Sequence, residues 1–456
     1  MPLTILTDSD VRSLLHSLSR QDILDIQQSL ADALHYYSTA TEENSCCSSY
    51  QPQRTSLKRK DGSTTLFMPA SSSDGLGMKI VTLMAPDDTD SAQGLSRLSL
   101  SSTESSGRSS SPSIASSKTA ASTSSSTTAV DVPPLSIPSA QSTTPRGSLT
   151  LLDTGGTPRA MINAEEVTAF RTALASMMLF KKRSSVHDVS VFGAGKQAYW
   201  HIRLALLLRG EEIHHLNIIN RSFDRATNLI KQLYEPGEKG DYSANGGVGA
   251  FGKRTKFTII TPGHGEYDRL LKSHVRQSNV IICTTPSTSP LFLASYLTNT
   301  GGRMKGRYIA LIGSYKPHMI ELHPDILRQA VKPEHGHHHH KHAKNGGAIV
   351  VDSVTACLKE AGEIIQAGLK PNEVVELGEL VMLKREIERR KAEGRHSDGD
   401  SENGMEVQTD RGLREWLEKG NVMYKSVGLG LMDVVVGNDL VRLADERGVG
   451  TRIENF

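Results

Sequence analysis

The chain has 456 residues, 37% of them hydrophobic, enough to fill two globular domains with polar sequence left over. Its 52 basic and 50 acidic residues leave a formal charge of only +2, which argues against a general surface for nucleic acid or anionic membrane. Cys46, Cys47, Cys283 and Cys357 show neither metal-ligand spacing nor a disulfide framework, and no apolar run approaches a membrane span or a secretory leader; a soluble, cytoplasmic protein is expected.

Thr7 and Asp10 are spaced as a capping box, opening a helix with Val11, Leu14, Leu15 and Leu18 on one face. Ser19 and Asp22 repeat the device before Ile23, Ile26, Leu30 and Leu34. A strand-rich stretch follows from Arg54 to Leu83, with 64–68 and 79–82 as predicted strands. From 87 to 148 the chain is dominated by Ser and Thr, with too little apolar surface to offset the entropy of ordering, so a disordered insertion is expected. Order should resume at 149–152 and 158–162, followed by a helix over 164–181.

Val189 to Phe192 fits a buried parallel strand, and Gln197 to Leu208 fits a helix. Between them Gly193, Gly195 and Ala198 have the G-x-G-x-x-A spacing of dinucleotide-binding folds: a tight turn, close backbone approach to a pyrophosphate, and close helix–strand packing. The anion would rest on the helix N-terminus. A ligand-free strand-to-helix turn is the bland alternative. The next strand, Leu216 to Ile219, ends in Asn220-Arg221-Ser222, without the acid that would bond a ribose 2′-hydroxyl. A guanidinium there suits a 2′-phosphate, so NADPH is expected, NADH being possible, unless Arg221 is simply a surface arginine. Apolar runs at 257–260, 280–283, 308–312 and 348–351 alternate with helical segments, predicting an α/β fold with a Rossmann-type doubly wound parallel sheet. Insertions interrupt it near 240–254, 332–347 and 392–412; the second holds His337 to His340 and His342, whose spacing fixes no metal geometry, and no metal site is expected.

Arg54, Lys79 and Arg171 lie among apolar or small residues rather than in charge runs. Arg can grip a carboxylate through two parallel bonds, and Lys is the more readily tuned proton donor; the alternative is surface cations in local salt bridges.

Taken in order, several motifs resemble the ornithine cyclodeaminase/mu-crystallin family, and its mu-crystallin side above all. They are Gln-Pro-Gln-Arg54-Thr, Phe67 to Ala70, Lys79 to Thr82, Thr168 to Ala173, Gly193 to Gln197, Glu321-Leu322, Ala361-Gly-Glu363 and Lys425 to Gly428. The resemblance implies an α+β substrate and dimerisation domain formed by 1–86, 149–182 and a C-terminal helix within 426–456, joined to a Rossmann domain at 183–425, in a homodimer. It also implies that Arg54, Lys79 and Arg171 converge on the carboxylate of an amino or imino acid. Cofactor contacts map onto Gly193, Gly195, Gln197, Asn220, Arg221, Ser222, Thr284 and Ser426.

One departure bears on the chemistry. Cyclodeaminases of the family carry an Asp two residues after the glycine that ends a strand; here Gly313-Ser314 is followed by Tyr315, and Met319 replaces a later Lys. A phenol, with a reference pKa of about 10, is a poor base at neutral pH. The resemblance therefore favours NADPH-dependent reduction of an imine beside a carboxylate, or the reverse oxidation. Ornithine cyclodeamination and NADPH binding without turnover stay open as alternatives.

Overall fold

The computed structural model describes residues 2–39, 51–83, 146–234, 254–303, 305–331, 348–381 and 412–456. The chain begins with strand β1 (Leu3–Leu6), helices α1 (Asp8–Ser17) and α2 (Arg20–Thr39), and strands β2 (Thr55–Lys58), β3 (Thr64–Ser72), β4 (Gly75–Leu83), β5 (Arg146–Leu152) and β6 (Pro158–Asn163). Helix α3 (Ala164–Phe180) then leads into an alternating part: β7 (Asp188–Phe192), α4 (Lys196–Arg209), β8 (His215–Ile219), α5 (Phe223–Tyr234), β9 (Lys256–Ile260), α6 (Tyr267–Gln277), β10 (Val280–Cys283) and β11 (Tyr308–Leu311). It continues through α7 (Pro324–Val331), β12 (Ile349–Val351), α8 (Val354–Glu360), α9 (Gly362–Ala367), β13 (Val374–Glu376) and β14 (Val422–Lys425). The last elements are α10 (Gly430–Arg447) and β15 (Thr451–Ile453).

The first sheet runs β15-β1-β6-β5-β4-β3-β2, antiparallel except where β1 pairs with β6. Both predicted strands of its hairpin are longer than periodicity marked, because β3 and β4 pair continuously from Thr64↔Leu83 to Ser72↔Gly75. Side chains alternate across the sheet, and on β4 the inward set is Gly75, Gly77, Lys79 and Val81. Strand period thus puts Lys79 on the face of Gly77 and Val81, and the helices packed there make that face the inner one. Helices α3 and α10 lie over that inner face with α2 packed against both, and Thr7 and Asp10 form the reciprocal capping box at α1.

The boundary expected at 148 is corrected: 146–148 belong to β5, where Arg146, Gly147 and Ser148 pair with Thr82, Val81 and Ile80. Backbone ladder bonds need no apolar side chain, so composition hid them. The rest of the Ser/Thr-rich insertion lies outside the described residues, as do the other three insertions apart from 254 and 412.

The second sheet, β13-β12-β14-β11-β10-β7-β8-β9, is parallel throughout. Strands β13 and β14 extend it beyond the runs that the sequence marked. From β7 the chain builds outward through β8 and β9 on one side and through β10 and β11 on the other. The order therefore reverses between β7 and β10, where open α/β sheets bind ligands. Helix α3 is buried nearly all round, as a helix packed on several sides must be, and Phe170 meets Trp200 of α4 edge-on with ring centroids 5.3 Å apart. It forms a spine between the two sheets and carries Arg171.

Candidate active site

The glycine turn sits at the strand-order reversal. Gly193 has φ +109°, and a Cβ there would lie 2.6 Å from Thr284 Oγ1, at the tip of β10. Only glycine fits without displacing that neighbour. A Cβ on Gly195 would meet nothing, and Gly195 caps α4 without a side-chain hydrogen bond. The first turn of α4 is left for an anion. Gln197 Oε1 is buried and accepts no hydrogen bond among the described residues. An open glycine ledge, an uncapped helix start and an orphaned acceptor together fit a dinucleotide. Lys196 of the same turn is spent elsewhere: its ammonium lies 3.1 Å from Glu165 and 2.8 Å from Glu166, tying α4 to the start of α3.

At the tip of β8, Asn220 Nδ2 donates to Ser222 O at 2.8 Å, which fixes the bend. Arg221 is exposed and enters no ion pair among the described residues. Thr284 Oγ1 donates to Phe192 O at 2.7 Å, locking β10 to the glycine turn. Ser426, just after β14, donates its hydroxyl to Asp352 Oδ2 at 2.7 Å, and Gly428 N donates to the same oxygen at 2.7 Å. The tips of β7, β8, β10, β12 and β14 thus lie along one edge of the parallel sheet.

The cations approach it from the other wall. Lys79 Nζ donates to Asp433 Oδ1 at 2.9 Å and Arg171 Nε to the same atom at 3.2 Å. All three residues are almost wholly buried. Burial lowers the Lys79 pKa to about 8, with Asp433 opposing the fall and Arg171 adding to it. The guanidinium of Arg171 then reaches the loop after β14: a Cβ on Gly428, whose φ is +94°, would lie 2.8 Å from its Nη2. Its Nη1 meets only Met432 Sδ, at 3.5 Å. A fork built for a carboxylate therefore has no oxygen acceptor on either terminal nitrogen among the described residues.

Arg54 is placed differently. It is half-buried and ion-paired with Glu360 at the end of α8, and it touches neither Lys79 nor Arg171. Burial lowers its pKa while Asp352 supports its charge, so it belongs to the crevice rim through the carboxylate that fixes the Ser426–Gly428 loop. Convergence of all three cations is thus replaced by a buried pair and a rim arginine. Tyr315 is partly buried, which raises the pKa of its phenol further. Among the described residues no group of three or more His, Cys, Asp or Glu could hold a metal.

No family model matches the chain. Among curated proteins it is 24% identical over 306 residues to a Delta(1)-pyrroline-2-carboxylate reductase of Bacillus cereus, covering 66% of this chain and 71% of that one. It is 24% identical over 249 residues to the ketimine reductase mu-crystallin of Mus musculus, covering 54% and 60%. Among solved structures it matches the Delta(1)-pyrroline-2-carboxylate reductase of Thermococcus litoralis, in complex with NADH and L-proline, with a TM-score of 0.60 at 17% identity over 98% and 99% of the two chains. The chain is thus similar to reductases of the ornithine cyclodeaminase/mu-crystallin family and shares the fold of its solved members.

Sequence reasoning passed over two residues of this site, Asp433 and Asp352. Asp433 did leave a signal: a lone carboxylate in Gly-Leu-Met-Asp-Val-Val-Val, where every apolar neighbour faces the core. Asp352 left none that separates it from an ordinary strand-end acid.

Proposed function

We propose that the protein is an NAD(P)H-dependent reductase of imines that carry a carboxylate on the reacting carbon, working also in reverse on the matching amino acid. The observation that carries this reading is the buried Lys79–Arg171 pair, which shares one carboxylate and keeps a cationic fork beside the Ser426–Gly428 loop. The names of the reductases above support it. Gly193, Gly195, Gln197, Asn220, Arg221, Ser222, Thr284 and Ser426 would hold the cofactor, which supplies the hydride when bound. Exposed Arg221, with no acid beside it at the strand tip, favours NADPH over NADH.

Arg171, with Arg54 at the rim, would fix the substrate carboxylate and orient the C=N carbon, a positioning effect. Lys79 would give its proton to the nitrogen as the carbon gains hydride, leaving a C–H and an N–H bond. A lysine held near pKa 8 is matched to that task at neutral pH. Tyr315 speaks against cyclodeamination, since a neutral, partly buried phenol supplies no base. We further propose a homodimer. The strand register aligns Met78, Thr150 and Met161 in one row on the outer face of the first sheet, with Met78, Met161 and nearby Leu76 exposed, and a second copy would cover it. No described helix is long and apolar enough to cross a membrane, and Cys283 and Cys357 are free thiols, as suits the cytoplasm.

The test is NADPH consumption by purified protein given piperideine-2-carboxylate or pyrroline-2-carboxylate, with NADH and ornithine as parallel arms. Consumption with the imines supports the reading. Proline and ammonia released from ornithine, or tight NADPH binding without consumption, would overturn it.

A further inference from the structure

Asp433 is an anomaly in its helix. Leu431, Met432, Val434, Val435 and Val436 are all buried, and so is Asp433, with no exposed surface. A carboxylate at such a place carries a desolvation cost that only close partners offset. Asp433 has two, both on Oδ1, while Oδ2 is buried and accepts nothing among the described residues. Its place in the first turn of α10 adds the favourable end of the helix dipole.

The consequence is geometric. One oxygen holds the ammonium of β4 and the Nε edge of the arginine from α3, so the two cations cannot drift apart although like charges repel. The Nε edge is the side of the guanidinium spent on Asp433, which leaves Nη1 and Nη2 turned to Met432 and Gly428.

We propose that Asp433 is a positioning residue for imine reduction: it sets the Lys79 ammonium and the open end of the Arg171 guanidinium in one register, so that the group giving the proton and the group gripping the carboxylate face the same ligand. This rests on the reductase reading above. The charged groups that reach Lys79 are Asp433 from α10 and Arg171 from α3; its cross-strand neighbours, Met68 on β3 and Leu149 on β5, bring none. Removing the Asp433 charge leaves burial and Arg171 both opposing the ammonium, so Lys79 must lose its proton at lower pH.

The experiment measures kcat/KM for piperideine-2-carboxylate against pH in full-length wild type, Asp433→Asn and Asp433→Glu, beside calorimetric binding of L-pipecolate to the NADP⁺-loaded proteins, which needs no turnover. The alkaline limb should move down by about one pH unit or more in Asp433→Asn, in both rate and binding, and stay near its wild-type position in Asp433→Glu. NADPH affinity should be unchanged in both. An Asp433→Asn limb that coincides with the wild-type limb overturns the proposal while leaving the reductase reading intact. A wild type that neither reduces the imine nor binds pipecolate overturns both. Should Asp433→Asn fail to fold, Asp433→Ala with added formate decides: a limb returned towards wild type by formate supports the role, and a limb indifferent to formate sinks it.

Discussion

Two buried clusters in this molecule are built from the same residue types in opposite proportion. In the first-sheet domain two cations, Lys79 and Arg171, surround one carboxylate, Asp433. In the parallel sheet two carboxylates, Glu321 and Glu363, surround one lysine, Lys425. The second cluster is closed but for Glu363 Oε2, which meets only the Lys425 ammonium. Glu321 accepts from the backbone of Thr285, Gly313 and Ser314 at 2.7, 2.8 and 3.3 Å, and Glu363 accepts from Ser314 Oγ and Glu321 N at 2.5 and 2.6 Å. Lys425 donates to Ser314 and faces Glu363 at 3.4 Å. It clamps the strand-end loops, including the one that carries Tyr315. The first cluster keeps two guanidinium nitrogens without an oxygen acceptor and carries surplus positive charge. Charges the fold satisfies by itself hold structure; charges it leaves over await a ligand.

Substitution of the two lysines breaks this comparison most sharply. Lys79→Met should lower kcat for the imine by about 10²–10⁴-fold, the usual worth of a positioned proton donor, while melting temperature and NADPH affinity stay close to wild type because Arg171 still neutralises Asp433. Lys425→Met should do the reverse. It strands two buried carboxylates and should lower unfolding free energy by about 3–5 kcal/mol in denaturant titration.

Arg221→Ala should raise KM for NADPH by about 10–100-fold and leave KM for NADH nearly unchanged, since a charge-assisted bond to a phosphate is worth about 1.5–3 kcal/mol. An equal effect on both cofactors would remove Arg221 from the 2′-phosphate.

The pH dependences of the two clusters share a sign but differ in what they change, activity in the first and stability in the second. With Lys79 near pKa 8, reduction needs its proton and should decline as pH rises through about 8. Glu321 is pushed up to about 7 by burial, above an ordinary value of about 4.5, so the folded chain holds a proton there that the unfolded chain has lost. Its contribution to stability is present below about 4.5 and is lost as pH rises through about 7. Glu321→Gln should flatten the stability profile between those values, the smallest of these effects, read by denaturant midpoints at successive pH.

Much of this was legible along the chain. Strand period predicted β7, β8, β10 and β11, the capping residues marked α1 and α2, and the glycine spacing located a turn that only glycine can make. The ends of elements were less so. Strand β5 starts inside the Ser/Thr-rich segment because ladder bonds ignore side-chain polarity, and β14, the motif around Lys425, reads as strand only beside β11 and β12. Arg54 was singled out for its residue type, yet its acid partner on α8 could not be read from its neighbours in sequence.

The amino-acid sequence by itself determined which segments are strands or helices, where the backbone must turn tightly, and that Lys79 shares a strand face with Gly77 and Val81, because these follow from periods of two and 3.6 and from the sterics of single residues. Tertiary structure alone decided which charges meet. Asp433 lies 354 positions from Lys79 and 262 from Arg171, and nothing local joins them. They meet because α3 and α10 bury their apolar faces against the sheet that carries β4, and that packing brings one carboxylate between two cations.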